Sequence, residues 1–345
     1  MRRTAFTLFR RLVPVGLALA AIAGPAGAQG TITLYGIVDA AVEWSNADAS
    51  RAFLGAGADA DSVLRLISGQ PGNAKGSRLG VRGAEDLGDG LRAVFAIEHR
   101  FGADTGEQAN SAFWNGQAWV GLDGGWGRLT AGRQYTPMYN AMIAVDATND
   151  QWYGTLVSSS RYSTRFDNSL EYRTPRWNGL RLLAMAASDE NTADVRDQYS
   201  VGAIWESKTL VATAAWQRLD AAGANGATVQ YSTGFAWRPG TFQLGAGWMS
   251  SDPAGGGRRI DYPYLSARVA LGAGNLYVNV IGSMFEADQK DSIQYALAYD
   301  WPLSKRTKFY VAGSIDTDVR ASGTPAGTTV YLDGQRYALG MRHDF

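Results

Sequence analysis

The sequence predicts an all-β fold, a 16-stranded antiparallel transmembrane β-barrel, on three observations. Apolar and polar residues alternate with a period of two in run after run from Thr31 to the terminal Phe345. Short glycine-bearing turns alternate with long polar loops, the rhythm of a barrel with one plain rim and one elaborate rim. Beyond the first 28 residues no stretch approaches 18 consecutive apolar residues, so any membrane crossing has to be made by strands.

The chain opens with Arg2, Arg3, Arg10 and Arg11, then an apolar stretch from Leu12 to Ala23, then the small-x-small sequence Ala26-Gly27-Ala28. That is the layout of a cleaved secretory signal peptide over residues 1–28, leaving 29–345 as the barrel. A retained helical anchor needs about 20 apolar residues, and this stretch supplies about a dozen. Lysine plus arginine and aspartate plus glutamate number 32 each, so loss of the four leader arginines leaves a mature charge near −4. A nucleic-acid partner, which needs a basic face to displace counterions, is therefore not expected. No cysteine is present, which excludes disulfides and thiolate metal sites; no metal or cofactor is expected. Glycine at 42 of 345, 39 aromatic residues and only 10 prolines suit many strands joined by turns.

In the first strand, 31–44, Ile32, Leu34, Val38, Ala40, Val42 and Trp44 share one face, and Thr33, Tyr35, Asp39 and Glu43 the other. Read at 100° per residue, the charges would scatter into the apolar face, so the strand reading stands. The next runs fall at 75–87, 90–101, 115–123 and 127–134; in 90–101, Leu91, Ala93, Phe95 and Ile97 oppose Arg92, Glu98 and Arg100. Beyond a long connection come 168–174, 179–187, 197–206, 208–217, 227–237 and 241–250. The last runs are 261–271, 273–286, 291–300, 307–316 and 336–345. About ten residues at ~3.3 Å, tilted near 45°, span an apolar band of roughly 25 Å. Aromatic residues at the strand ends (Trp44, Phe101, Trp177, Trp205, Trp216, Trp237, Trp248, Phe285, Trp301 and Phe345) are candidates for the interfacial girdles. A barrel of this size is too wide for side chains to fill, so the polar face points into an aqueous lumen and the apolar face meets lipid. A soluble sandwich would also alternate, but it gives no reason for the long-short loop rhythm.

The segments TLYGIVDA, SRLGVRGAEDLGDGLRAVFAIEHRF, QAWVGLDGGWGRLTAGRQYTP and the terminal RYALGMRHDF resemble, in order and along the whole mature chain, the Gram-negative general porins, most nearly their β-proteobacterial (Burkholderia, Bordetella and Neisseria-like) group. The resemblance implies a homotrimeric outer-membrane pore for passive diffusion of small hydrophilic solutes. Outer-membrane lipid and lipopolysaccharide would surround it, and the barrel-assembly machinery would read Tyr337, Leu339, Met341 and Phe345 as its signal. It also implies that the connection from about Tyr135 to Asp167 folds inward to narrow the pore, a role that fits so long an insertion. By motif, Arg78, Arg133 and Arg165 transfer to a basic wall, and Arg82, four residues after Arg78 on the same face, joins them. Asp146 and Asp150 transfer to the acidic loop opposite. Ile37 stands where enteric members carry a basic residue. Strict alternation turns Arg133 outward with Leu129 and Ala131, and a bulge at Gly132 is expected to turn it back in. Arg92 and Arg100 read as solvated lumen charges. The excess of eyelet arginines over aspartates implies a weak preference for anions.

Three other readings compete with a diffusion pore. An outer-membrane hydrolase needs a histidine beside a nucleophile, yet His99 and His343, the two histidines, fall on apolar strand faces, and no GxSxG elbow is present. No enzyme activity is expected. A sugar-specific channel would need an aromatic track, for which Tyr135, Tyr139, Trp152, Tyr153 and Tyr162 are the candidates, against their simpler role of packing the loop. An adhesin rests only on the long loops. Calcium or lipopolysaccharide contacts at Asp48, Asp59 and Asp61 compete with plain solvation.

Overall fold

The structure is a computed structural model that describes residues 30–46, 48–49, 62–69, 75–160, 162–188, 195–221, 227–253, 258–286, 290–320 and 331–345. The expected leader, residues 1–28, lies outside them. The chain runs β1 (Thr31–Ser45), β2 (Val63–Ile67), β3 (Arg78–Gly88), β4 (Leu91–Arg100), β5 (Gln117–Gly124) and β6 (Gly127–Tyr135). Two helices follow, α1 (Pro137–Val145) and α2 (Leu156–Ser159). Then come β7 (Arg165–Arg173), β8 (Leu180–Ala187), β9 (Val195–Glu206), β10 (Leu210–Ala221), β11 (Ala227–Trp237) and β12 (Phe242–Pro253). The last are β13 (Ile260–Leu271), β14 (Gly274–Phe285), β15 (Ser292–Pro302), β16 (Thr307–Arg320) and β17 (Tyr331–Asp344).

Every strand from β3 onward pairs antiparallel with its successor, and β17 pairs with β1 from Ile37↔Asp344 to Ser45↔Arg336, which closes the sheet. The other edge of β1 is shared. Its first half pairs with β3 (Thr31↔Ala84 to Ile37↔Arg78) and its second half with β2 (Ala41↔Ile67 to Ser45↔Val63). β2 and β3 therefore form one interrupted stave, and the barrel has the sixteen strand positions that the periodicity predicts. The short β2 lies inside the first long loop, where no strand was expected. Several strands run on past their predicted ends into polar sequence, as β16 does through Asp318.

The faces are inverted relative to a soluble protein. Ile32, Leu34, Val38, Val42 and Trp44 are exposed on the outside, Leu34 by 60%, whereas Asp39 and Glu43 are buried inside. Such outward apolar side chains are stable only against hydrocarbon. Among the expected girdle residues Trp44, Trp177, Trp205, Trp237, Trp248, Trp301 and Phe345 are exposed, and Phe101, Trp216 and Phe285 are partly so. On β17 Tyr337, Leu339 and Met341 face outward, and Phe345, just past its end, is exposed as well.

The buried core lies inside the barrel, between the wall and the segment that follows β6. α1 starts with Thr136 as N-cap, its Oγ1 accepting the Tyr139 amide, and with Pro137 at its first turn, where no backbone donor is needed. Met138, Ala141, Met142, Leu156 and Val157 pack on Met249, Ile260, Tyr262, Tyr264 and Ile281 of the inner wall. Farther round, Trp152 and Tyr153 pack on Tyr277, Ala296, Tyr310, Ala312 and Ala338. The inner wall is thus not uniformly polar: from β10 to β17 its lumen face supplies small and aromatic residues to the loop.

The close approach depends on Gly245. A Cβ there would fall inside van der Waals contact with the Val145 carbonyl, a backbone atom that cannot swing away. Overpacking of this kind costs about 1–3 kcal/mol. Gly245→Val should therefore lift α1 from the wall, lower the melting temperature and open the loop to chymotrypsin between Tyr139 and Tyr153. Unchanged melting and resistance to cleavage would contradict this packing.

Candidate functional site

The inward segment is fixed at several points on the wall. The buried Asp146 carboxylate organises its tip: Oδ1 accepts the Thr148 amide (2.8 Å), the Thr148 hydroxyl (2.7 Å) and the Tyr264 phenol (2.6 Å), while Oδ2 accepts the Asp150 amide (2.8 Å). These bonds hold Asn149 and Asp150 in left-handed backbone at φ 56° and 55°, a conformation that Asn and Asp tolerate. The Ala147 amide donates to Ser266 Oγ (3.0 Å), and Asn279 Nδ2 donates to the Tyr153 carbonyl (2.8 Å). The Tyr153 hydroxyl crosses to Glu43 Oε2 on β1 (2.6 Å). The loop is therefore attached from β13 round to β1.

Opposite its free side stands the basic wall. Arg78 and Arg100 are direct cross-strand neighbours, and such like charges repel unless something lies between them. Glu98 is that counter-charge. Its Oε1 accepts Arg100 Nε (3.0 Å), and its Oε2 lies 3.7 Å from Arg78 Nη1 and accepts the Tyr35 hydroxyl (3.2 Å). Arg100 and Arg165 both donate to the Tyr135 hydroxyl, Arg165 at 2.6 Å. The Tyr135 ring carries the Arg165 guanidinium at 4.1 Å and stacks on Tyr139 at 3.9 Å, which locks both planes.

A lysine completes the group. Beside β1, the Ser68 and Ser77 hydroxyls donate to the Asp39 carbonyl and the Lys75 amide donates to Asp39 Oδ2 (2.7 Å). Lys75 Nζ then donates to the Asn149 carbonyl (2.7 Å), beside Asp150. Burial holds Lys75 below the usual lysine pKa, opposed by the Asp150 charge. Burial raises the Asp150 carboxyl; Lys75 pulls it back and Asp146 adds to the rise. Lys75, Arg78, Arg100 and Arg165 thus gather with Glu98 and Asp150 between the barrel wall and the loop tip, four positive groups and two negative.

The expected site residues divide. Arg78, Arg165 and Asp150 are brought together. Arg82 lies two rows farther toward the short turns, over the Tyr35 ring at 5.5 Å. Asp146 is spent on holding the loop turn. Arg133 corrects an expectation. The bulge at Gly132 is present, with φ 129° and a register shift against β7, but it leaves Gln134 on the lumen face with Thr130 and Arg133 on the outward face with Leu129 and Ala131. Gln134 is buried, bonded to Thr130 (2.6 Å) and Ser169 (3.2 Å), while Arg133 pairs with the exposed Asp167 at 2.5 Å and with the Asn115 carbonyl. An ion pair and a carbonyl satisfy the guanidinium without a lumen position. Arg100, read as a bystander from sequence, and Lys75, not singled out, are members. The signal for Arg100 was its cross-strand place opposite Arg78; for Lys75, buried in a loop, periodicity gave none. Of the loop aromatics, Trp152 and Tyr153 are buried packing residues, and Tyr135 and Tyr139 are tied up with the arginines. Asp59 and Asp61 lie outside the described residues.

A unit charge in water ~8 Å from a permeating ion shifts its energy by ~0.5 kcal/mol, about twofold in occupancy. Arg100→Gln should therefore lower the chloride-to-potassium permeability ratio about twofold or more, whereas Arg133→Gln should leave it unchanged. Reversal potentials in a salt gradient distinguish the two; equal effects would contradict the placement of Arg133.

Comparison with known proteins agrees with the geometry. The model of the Gram-negative porin family matches residues 16–318. An outer membrane porin protein of Bordetella pertussis is 36% identical over 176 residues, 47% of this chain and 44% of that protein. Outer membrane porin protein 32 of Delftia acidovorans is 32% identical over 201 residues, 54% of each. The chain thus matches about half the length of these curated relatives. Among solved structures, an anion-selective porin from Comamonas acidovorans superposes with a TM-score of 0.79 at 24% identity, over 92% of this chain and 100% of that one; at this identity the likeness concerns the fold. Sheet closure, the inward loop and the family match lead to one assignment: this chain belongs to the Gram-negative porin family and is an outer-membrane β-barrel.

Proposed function

We propose that the protein is a general diffusion porin, a passive water-filled channel for small hydrophilic solutes and ions, with a weak preference for anions. The observation that carries this reading is the gap between the loop tip and the basic wall. Four cations and two carboxylates meet there, a positive balance, although the mature chain as a whole is acidic. Fixed charges close to a narrow aqueous path filter by sign and size without any moving part. The Comamonas relative is described as anion-selective, which agrees with the sign. Passive diffusion needs no enzymatic step; His99 is bonded to the Phe113 carbonyl and His343 to the Thr307 hydroxyl, both away from the constriction cluster. A sugar track gains no support, because the loop aromatics are packed or bound to arginine.

The working unit in this reading is a homotrimer in the outer membrane, among lipid and lipopolysaccharide. The outward row Tyr337, Leu339, Met341 and Phe345 is the element that the assembly machinery would read. Residues 1–28 act as the export signal and 29–345 form the pore.

Planar-bilayer recording tests the reading. Conductance should appear in groups of three equal steps, with a reversal potential on the chloride side; single steps or cation preference would contradict it. Because the Asp150 carboxyl titrates above the usual range, acidification removes its charge before that of ordinary surface carboxylates. Anion preference should therefore rise as pH falls through that range, and Asp150→Asn should show the raised value already at neutral pH. A fall in anion preference on acidification would have the wrong sign.

A further inference from the structure

Below the constriction, toward the short turns, the lumen wall carries a recess of about 380 Å³ that the constriction does not use. Register shows how it forms. Thr33, Arg82, Ala96 and Trp119 are successive cross-strand partners on β1, β3, β4 and β5, so they make one row on the lumen side. Ala96, the smallest side chain of the row, leaves a notch between Arg82 and Trp119. Those two stand two strand spacings apart, ~10 Å. The next row down is Val94 beside Gly121, again small, and the row below it is Arg92, Asp123 and Arg128.

The charges of this recess are unbalanced. Asp123 Oδ2 accepts both Arg92 Nη2 (2.8 Å) and Arg128 Nη2 (2.7 Å), so one carboxylate serves two guanidiniums. Asp86, in the same row, turns its carboxylate to the Gly88 amide in the turn. Glu98, one row above, is engaged with Arg78, Arg100 and Tyr35. Arg82 is exposed to the lumen and, among the described residues, makes no ion pair; its guanidinium lies only over the Tyr35 ring. Trp119, partly exposed, is held by its indole N–H, which donates to Gln117 Oε1 (3.0 Å). A fixed indole thus faces an unpaired guanidinium across a floor of small residues.

We infer that this recess is a binding station for aromatic carboxylates, with the ring of the solute stacked against Trp119 in the Ala96 notch and its carboxylate received by Arg82, with Arg92 and Arg128 beyond. Aromatic rings stack offset or edge-on against an indole, and a carboxylate matches the planar fork of arginine. A small inorganic anion would engage the arginines without the indole, and a neutral ring the indole without the arginines; the juxtaposition selects solutes that carry both. Such a station, two rows past the Arg78–Arg100 pair, would receive these anions as they leave the constriction. The inference rests on the diffusion-pore reading.

The test is single-channel recording in chloride, with benzoate or acetate added on the short-turn side. Both carry one carboxylate, and benzoate alone carries a ring. Benzoate should interrupt the current with a saturable concentration dependence and about tenfold longer dwell times than acetate. In Trp119→Leu the two anions should become equal, and in Arg82→Gln the benzoate interruptions should shorten severalfold. Chloride steps in each variant report a folded pore, so a failure of the station is read separately from a failure of the channel. Benzoate and acetate indistinguishable in the parent protein, or benzoate block surviving in Trp119→Leu, would overturn the inference.

Discussion

A closed sheet of sixteen strand positions encloses more space than its own side chains can fill, and the rest of this structure follows from that constraint. Water enters, the outer face must then be the apolar one, and the only dry core available is one that the chain brings in by folding a loop inward. The packing of Met138, Met142, Leu156, Trp152 and Tyr153 on the wall from β10 to β17 is that core. It occupies one side of the lumen and leaves the other, from β3 to β7, to the arginines. Selectivity and stability are therefore linked through a single segment.

Charge is cheap in such a lumen because water and opposite charges are both at hand. Arg78 opposite Arg100 would be unfavourable on a dry sheet; here Glu98, Tyr35 and Tyr135 bind the pair and hold it in place. Carboxylates have a second use inside the barrel, as anchors for phenols: Tyr310 donates to Asp39, Tyr277 to Asp300, Tyr153 to Glu43 and Tyr264 to Asp146. Hydrogen bonds to charged groups are worth about 1.5–3 kcal/mol each, so Tyr153–Glu43 and Tyr264–Asp146 fix the loop more firmly than apolar contact alone, while the other two pairs tie wall strands together.

The barrel itself was legible in the sequence because the two faces of each strand meet different solvents, and alternation records that difference residue by residue. The short β2 was not, since five residues within a polar loop are too few for a period to show. The inner wall misled in another way. Tyr310 and Ala338 sit at lumen positions where a water-filled pore calls for polar side chains, and only the loop lying on them explains their presence. At the site, direct alternation placed Arg78 correctly. Alternation also placed Arg133 outward with Leu129 and Ala131; what failed was the bulge at Gly132 expected to turn it back in. Gln134 found partners inside at Thr130 and Ser169, and Arg133 found Asp167 on the other side. Arg100 and Lys75 were missed because their importance lies in contacts between strands and loops distant in sequence.

The face inversion can be measured directly, because the chain has no cysteine of its own and any introduced thiol is unique. In lipid-reconstituted protein, Thr33→Cys should react quickly with a charged, membrane-impermeant thiol reagent, while its neighbour Leu34→Cys, facing hydrocarbon, should stay unmodified. The reverse order of reactivity, or equal rates at both positions, would contradict an aqueous interior enclosed by an apolar exterior.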